Sequence, residues 1–204
     1  LSAGKDYISE DGKEADGYVN SEEAVNTTAW LADLIAKGYA NVEPITDEFL
    51  NGACATMIGG SWEIATLEQN ADFDWGVTYY PVNAETKKAV SPCGDWAAAV
   101  SKDCENPDAA GEFLQWLMNS ENVATYADAI AKPATRNSAY DEEAMADYKE
   151  GARALMVEQL NNTAVPRPRT PSYATFSSAY AEAMTNILSD AATNGEVDDD
   201  YIQS

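Results

Sequence analysis

Apolar residues recur along this chain at two spacings, one that suits helices and one that suits strands. Between Asn20 and Gly38 the residues Leu31, Leu34 and Ile35 form a helical stripe, and Asn20 followed by Glu23 has the spacing of a capping box. The pattern predicts a helix ended by Gly38. Thr46 to Asn51 predicts a further turn or two of helix. Next comes the run Ala53-Cys54-Ala55-Thr56-Met57-Ile58, which has strand length and stops at Gly59-Gly60, so a strand is expected to deliver Ser61-Trp62 at its end. A short helix is expected over Trp62 to Gln69.

Asp74 to Tyr80 reads as a strand closed by Pro81, and Val82 to Pro92 as a polar loop. Asp95 to Ser101 is another apolar run. Asn106 before Pro107 supplies an N-cap and a proline-tolerant first position for a helix with Ala110, Phe113, Leu114 and Leu117 on one face. Two amphipathic helices follow. The first carries Met145, Tyr148, Ala152 and Leu155, and the second Phe176, Tyr180, Ala183, Met184 and Ile187, with the proline-rich turn Pro166 to Pro171 between them. The acidic tail after Asn194 reads as a solvated terminus, and Trp30, Trp75 and Trp116 as packing residues within their elements.

Composition narrows what such a fold can do. The 204 residues carry a formal charge of −23, from 35 acidic and 12 basic side chains, and such a field repels phosphate. Nucleic acid and anionic membrane are excluded as partners on that ground. The chain has no histidine, which removes the commonest general base, the usual zinc ligand and every Ser-His or Cys-His pair. Cys54, Cys93 and Cys104 show no CxxC spacing, and Cys54 reads as a small buried hydrophobe. No catalytic residue, metal-ligand set or cofactor motif is assigned. No apolar run nears the roughly 18 residues of a membrane span, and a start at Leu1-Ser2-Ala3-Gly4 leads us to expect a processed product or a fragment.

The order of elements carries more information than any one motif. Gly17-Tyr18-Val19-Asn20-Ser21-Glu22-Glu23-Ala24 opens a helix, Phe49-Leu50-Asn51-Gly52 leads into Ala53 to Trp62, and Gly94-Asp95-Trp96 precedes Asn106-Pro107-Asp108-Ala109-Ala110. With Pro166 to Leu188 these stretches resemble the C-terminal half of the maltose-binding-protein-like family of ABC-importer solute-binding proteins. The resemblance implies an α/β fold of periplasmic-binding-protein-like type II, of which this chain would be a helix-rich C-terminal portion. Residues 1–90 would then form a second-lobe segment, 91–140 the hinge strand and a first-lobe segment, and 141–204 second-lobe C-terminal helices. It also implies lobe closure on a solute by rigid-body bending, a monomer in an extracytoplasmic location (periplasm or lipoprotein surface), and permease subunits as partners. Cys54 and Cys104 would lie in different lobes and remain unbridged.

A sugar presents flat C–H faces and rims of hydroxyls, so its site needs aromatic platforms with polar side chains beside them. Trp62, after the glycine-rich strand end, is similar to a family tryptophan that stacks on sugar; the alternative is an ordinary core tryptophan. Gly94, Asp95 and Trp96 stand at the hinge-strand entrance, where Asp95 could accept from two hydroxyls. Arg136 and Arg167 are two of only four arginines, each presented near proline, with surface ion pairing as the competing reading. Tyr173 resembles a family position near the cleft, although tyrosine is as common in cores. The leading expectation is a binding protein for a mono- or oligosaccharide. A carbohydrate-active enzyme using paired carboxylates and a non-transport surface interaction module are the alternatives.

Overall fold

Helix α1, Glu22–Ala36, forms where the apolar stripe places it, but its cap is one residue later than expected. In the computed structural model, which describes residues 1–43 and 46–203, the Ser21 hydroxyl accepts from the Ala24 N–H at 3.3 Å. Asn20 instead ties the preceding turn, accepting from Gly17 N–H at 2.6 Å and donating to Asp16 at 2.8 Å. At the far end Tyr39 N–H returns to Leu34 O and Gly38 N–H to Ile35 O, closing the helix with paired bonds.

The chain divides into two compact units. The first comprises Leu1–Ile45, Tyr80–Val90 and Pro166–Ser204. Here α1 packs on α7, Tyr173–Asn194, and on α8, Asp199–Gln203. Its core is Ala32, Ile35, Ile187 and Ala191, flanked by Val42, Leu188, Val197 and Ile202. The two alanines at the interface let the helix axes approach closely. The tail expected to be wholly solvated therefore folds back: Val197 and Ile202 pack on this core while Asp199 and Asp200 stay exposed.

The second unit comprises Thr46–Tyr79 and Ser91–Val165. It contains α2, Thr46–Leu50, α3, Glu63–Asn70, α4, Pro107–Leu117, α5, Ser120–Ala129, and α6, Gly151–Asn162. Two 3₁₀ turns, Asn137–Asp141 and Glu143–Lys149, lie between α5 and α6. Met145 is its largest fully buried side chain, packed among Val123, Ala124, Ala127, Ala139 and Tyr148. Tyr148 satisfies its hydroxyl on Ala127 O at 3.3 Å. The single helix expected through Met145 and Leu155 is thus broken in two. Glu150 is extended and Gly151 has φ of +67°, a region that glycine enters without a Cβ clash.

Two runs read as strands, 53–58 and 74–80, and the apolar run 95–101 form no ladder. Among the described residues the sheet consists of β1, Ser91–Cys93, paired with β2, Ala164–Pro166. Trp75, Val77 and Tyr79 still alternate with exposed Gly76 and Thr78, so the pleat persists without the partner. An apolar run becomes a strand only when a neighbouring strand takes its N–H and C=O groups. Trp30 and Trp116 also differ from expectation, both being more than half exposed. Trp116 stacks on Phe113 at 5.9 Å along α4, a helix with no buried residue.

Candidate ligand site around Trp62

The site begins with a turn. Glu63 N–H donates to Gly60 O at 3.0 Å and Ile64 N–H to Ser61 O at 3.2 Å, which places Trp62 at the N-cap of α3. The indole folds back over Gly60. A Cβ at that position would overlap Cη2, Cζ3 and Cε3 of the ring, so a side chain there and this ring position exclude each other. The glycine stop noticed in the sequence is therefore a packing requirement for the tryptophan.

Two further contacts fix the ring. Its Nε1–H donates to Glu63 Oε1 at 2.9 Å, and the Lys132 ammonium lies 5.8 Å from the ring centroid. Lys132 in turn donates to Asp95 Oδ1 at 2.8 Å, in a pair whose side chains are 17 % and 38 % exposed. Asp95 Oδ1 also accepts from the Trp96 N–H at 2.8 Å. Burial alone would raise the Asp95 carboxyl, but the bonds from Lys132 and Trp96 outweigh it and hold the group below the usual carboxylate range. Trp62 remains 56 % exposed and Trp96 89 %, so neither ring is spent on a core.

Trp62 and Asp95 thus meet through Lys132, and Gly94 and Trp96 flank Asp95 in sequence. Arg136, in the same unit, is committed elsewhere. Its Nη1 donates to Met118 O at 2.8 Å and its Nε to Ser138 Oγ at 3.0 Å, which caps the carbonyl end of α4 with a cation. Arg167 and Tyr173 belong to the first unit. Arg167 is exposed, and Tyr173 opens α7 with its ring 6.5 Å from Phe176, in a row continued by Tyr180 and Tyr7. Sequence reasoning passed over Lys132. The signal was available, since a cation directly before Pro133 in a strongly acidic chain meets the argument used for Arg136.

A second arrangement supports this one from behind. Arg153, at the start of α6, donates from Nη2 to Glu68 Oε2 at 2.8 Å and from Nη1 to Asp128 Oδ1 at 3.3 Å, and lies 5.2 Å from the Tyr148 ring centroid. Glu68 is on α3, so this guanidinium ties the helix that starts at Trp62 to α5 and α6. The described residues contain no group of three or more acidic or cysteine side chains arranged to hold a metal ion. The three cysteines are free and half-buried, and none of the described helices is long and apolar enough to cross a membrane.

An exposed indole beside an ion pair offers a ligand an apolar face with a hydrogen-bond donor and an acceptor next to it. Comparison with known proteins supplies the family: residues 2–154 match the bacterial extracellular solute-binding proteins, and the chain belongs to that family. Among curated proteins it is similar to the sn-glycerol-3-phosphate-binding periplasmic protein UgpB of Escherichia coli (strain K12) and to the same protein of Shigella flexneri. Each is 27 % identical over 168 residues, covering 76 % of this chain and 38 % of the relative. Among solved structures it is similar to the cyclic α-maltosyl-1,6-maltose binding protein of Arthrobacter globiformis, with a TM-score of 0.75 and 24 % identity, covering 98 % of this chain and 50 % of that one. This chain therefore spans half or less of the length of these relatives. The fold class expected from the sequence, a helix-rich portion of the periplasmic-binding-protein-like type II fold, is borne out by that structural match.

Proposed function

We propose that this chain forms part of the solute-binding component of an ABC importer, acting outside the cytoplasm. On this reading it binds a mono- or oligosaccharide by closure of two lobes and presents the closed form to permease subunits. No bond in the solute is broken, and no cofactor takes part. The observation that carries the reading is the exposed face of Trp62 set against the Asp95–Lys132 pair. An indole stacks on the C–H face of a sugar ring while the carboxylate accepts from hydroxyls and the ammonium donates to them.

In the complete protein we assign residues 1–90 and 141–204 to one lobe and 91–140 to the other. The Glu68–Arg153 bond joins the first segment to the last, while the Asp128–Arg153 bond and the core of Val123, Ala124, Ala127, Met145 and Tyr148 join the last to the middle one. The two compact units divide the chain differently, grouping 46–79 with 91–165. Trp62 then comes from one lobe, and Asp95 and Lys132 from the other, which is how a closing cleft is built. Gly94, Trp96, Arg167 and Tyr173 are further proposed contacts, while Arg136 has a structural role on Met118 as well.

The test is thermal unfolding of the complete gene product that contains this chain, against a panel of neutral mono- and oligosaccharides, amino acids and sn-glycerol 3-phosphate. A cognate sugar at a hundredfold its Kd should add about 2.7 kcal/mol of stability. Trp62→Ala should remove that gain without lowering the unliganded midpoint. A panel with no shift for any sugar would sink the carbohydrate reading.

A further inference from the structure

We propose that Lys132, by pairing with Asp95, determines the specificity of this site, the neutralised pair restricting it to neutral polyhydroxylated ligands. The inference rests on the carbohydrate reading above and adds the residue that enforces it. A carboxylate alone beside an indole face would attract cations, and a lysine alone would attract phosphate or carboxylate groups. Joined at 2.8 Å, Asp95 and Lys132 cancel each other's charge while keeping complementary hydrogen-bonding capacity. The contacts from Lys132 and from the Trp96 N–H both fall on Oδ1, and Oδ2 has no hydrogen-bond partner among the described residues. The ammonium keeps further N–H donors beyond the one given to Asp95.

A vicinal diol meets both needs at once. One hydroxyl donates to Asp95 Oδ2, its neighbour accepts from Lys132, and the C–H face between them lies against Trp62. A phosphate in the same place would pair with Lys132 only by setting its own charge against Asp95 and by drawing Lys132 away. Glu63, bonded to Trp62 Nε1, adds a second carboxylate near the ring and strengthens the exclusion of anions.

The backbone that aims Lys132 is itself unusual. Ala131 has φ of +52°, a conformation disfavoured for a residue with a Cβ, and it is buried. It closes α5 through Ala131 N–H to Asp128 O and Lys132 N–H to Ala127 O, both at 3.0 Å, and Pro133 fixes the direction of exit. The lysine is thus presented from a tightly defined turn.

The experiment is calorimetric titration of the complete gene product with glucose, maltose, maltotriose and xylose, and separately with sn-glycerol 3-phosphate, from about pH 4, near the ordinary aspartate value, to about pH 8. The wild-type protein should bind one of the sugars with affinity nearly flat across that range, because Asp95 stays ionised at the acidic end. It should bind glycerol 3-phosphate at least tenfold more weakly. Lys132→Met should weaken the sugar by about tenfold or more, the size of one charge-assisted hydrogen bond. Its residual affinity should also fall as pH drops, since Asp95 without its partner protonates at a higher pH. Lys132→Arg should restore the flat profile.

Should Lys132→Met fail to fold, Lys132→Gln carries the same test, because it keeps a donor and loses the charge. An unchanged affinity and pH profile in the methionine or glutamine variant overturns the proposal. So does a wild-type protein that prefers glycerol 3-phosphate, which leaves solute binding itself intact. Absence of binding to every sugar overturns the carbohydrate reading instead, and this inference with it.

Discussion

Replacing Arg153 with methionine tests whether one guanidinium holds the helix that carries the indole. Methionine keeps the unbranched stem and removes the charge. The Arg153 side chain is 14 % exposed, whereas Glu68 and Asp128 are 44 % and 45 % exposed. Both carboxylates can therefore regain water once the cation is gone, and neither is stranded as a buried charge. Each ion pair is then worth at most about 1 kcal/mol after screening, and the contact with the Tyr148 ring about 0.5–1 kcal/mol. The expected loss is about 2 kcal/mol, measured as a fall in the urea midpoint at unchanged slope. A chain of this size should lose about 4–8 °C in Tm. Glu68→Gln made first should reduce the further effect of Arg153→Met, since the two mutations share one interaction. Sugar affinity should also fall, by less than tenfold, because α3 is loosened while Trp62 itself is intact. A change under about 0.5 kcal/mol, or full additivity with Glu68→Gln, would refute the reasoning, since that is the size of an ordinary surface substitution.

Gly60→Ala separates site geometry from folding: Gly60 is not among the residues at positive φ, so its backbone accepts alanine, but the new Cβ displaces the Trp62 ring. Sugar affinity should drop by about fivefold or more in calorimetry, the ring losing its Lys132 and Glu63 contacts, while the unfolding midpoint changes little; equal affinity would show that the ring position does not matter. Met145→Ala should cost about 2–5 kcal/mol in chemical denaturation, as the fully buried side chain at the centre of the second core leaves a cavity. A cost below about 1 kcal/mol would mean that Ala124, Ala127 and Ala139 collapse into the space.

Local chemistry was readable before any coordinates. Apolar spacing located α1, α4 and α7, Pro107 marked the first residue of α4, and the doubled glycine at 59–60 marked where the apolar run stops ahead of Trp62. Even the local errors were small: Ser21 rather than Asn20 caps α1 because the two are adjacent and chemically equivalent candidates. The break at Glu150–Gly151 was harder, since the apolar spacing of Met145, Tyr148, Ala152 and Leu155 continues across it. There only the backbone conformation shows that the turn before it is 3₁₀.

What the amino-acid order could not contain was partnership. Whether 53–58, 74–80 and 95–101 become strands depends on which neighbour offers N–H and C=O groups, a property of the whole fold and not of the run itself. The same holds for charge. Lys132 and Asp95 are 37 residues apart, and Arg153 and Glu68 are 85 apart, so no window along the chain pairs them. Sequence fixes which side chains are available and how the backbone near them bends. Folding alone brings an ammonium to an indole face and a carboxylate to the ammonium, because electrostatic attraction acts through space and fades within a few ångströms of water.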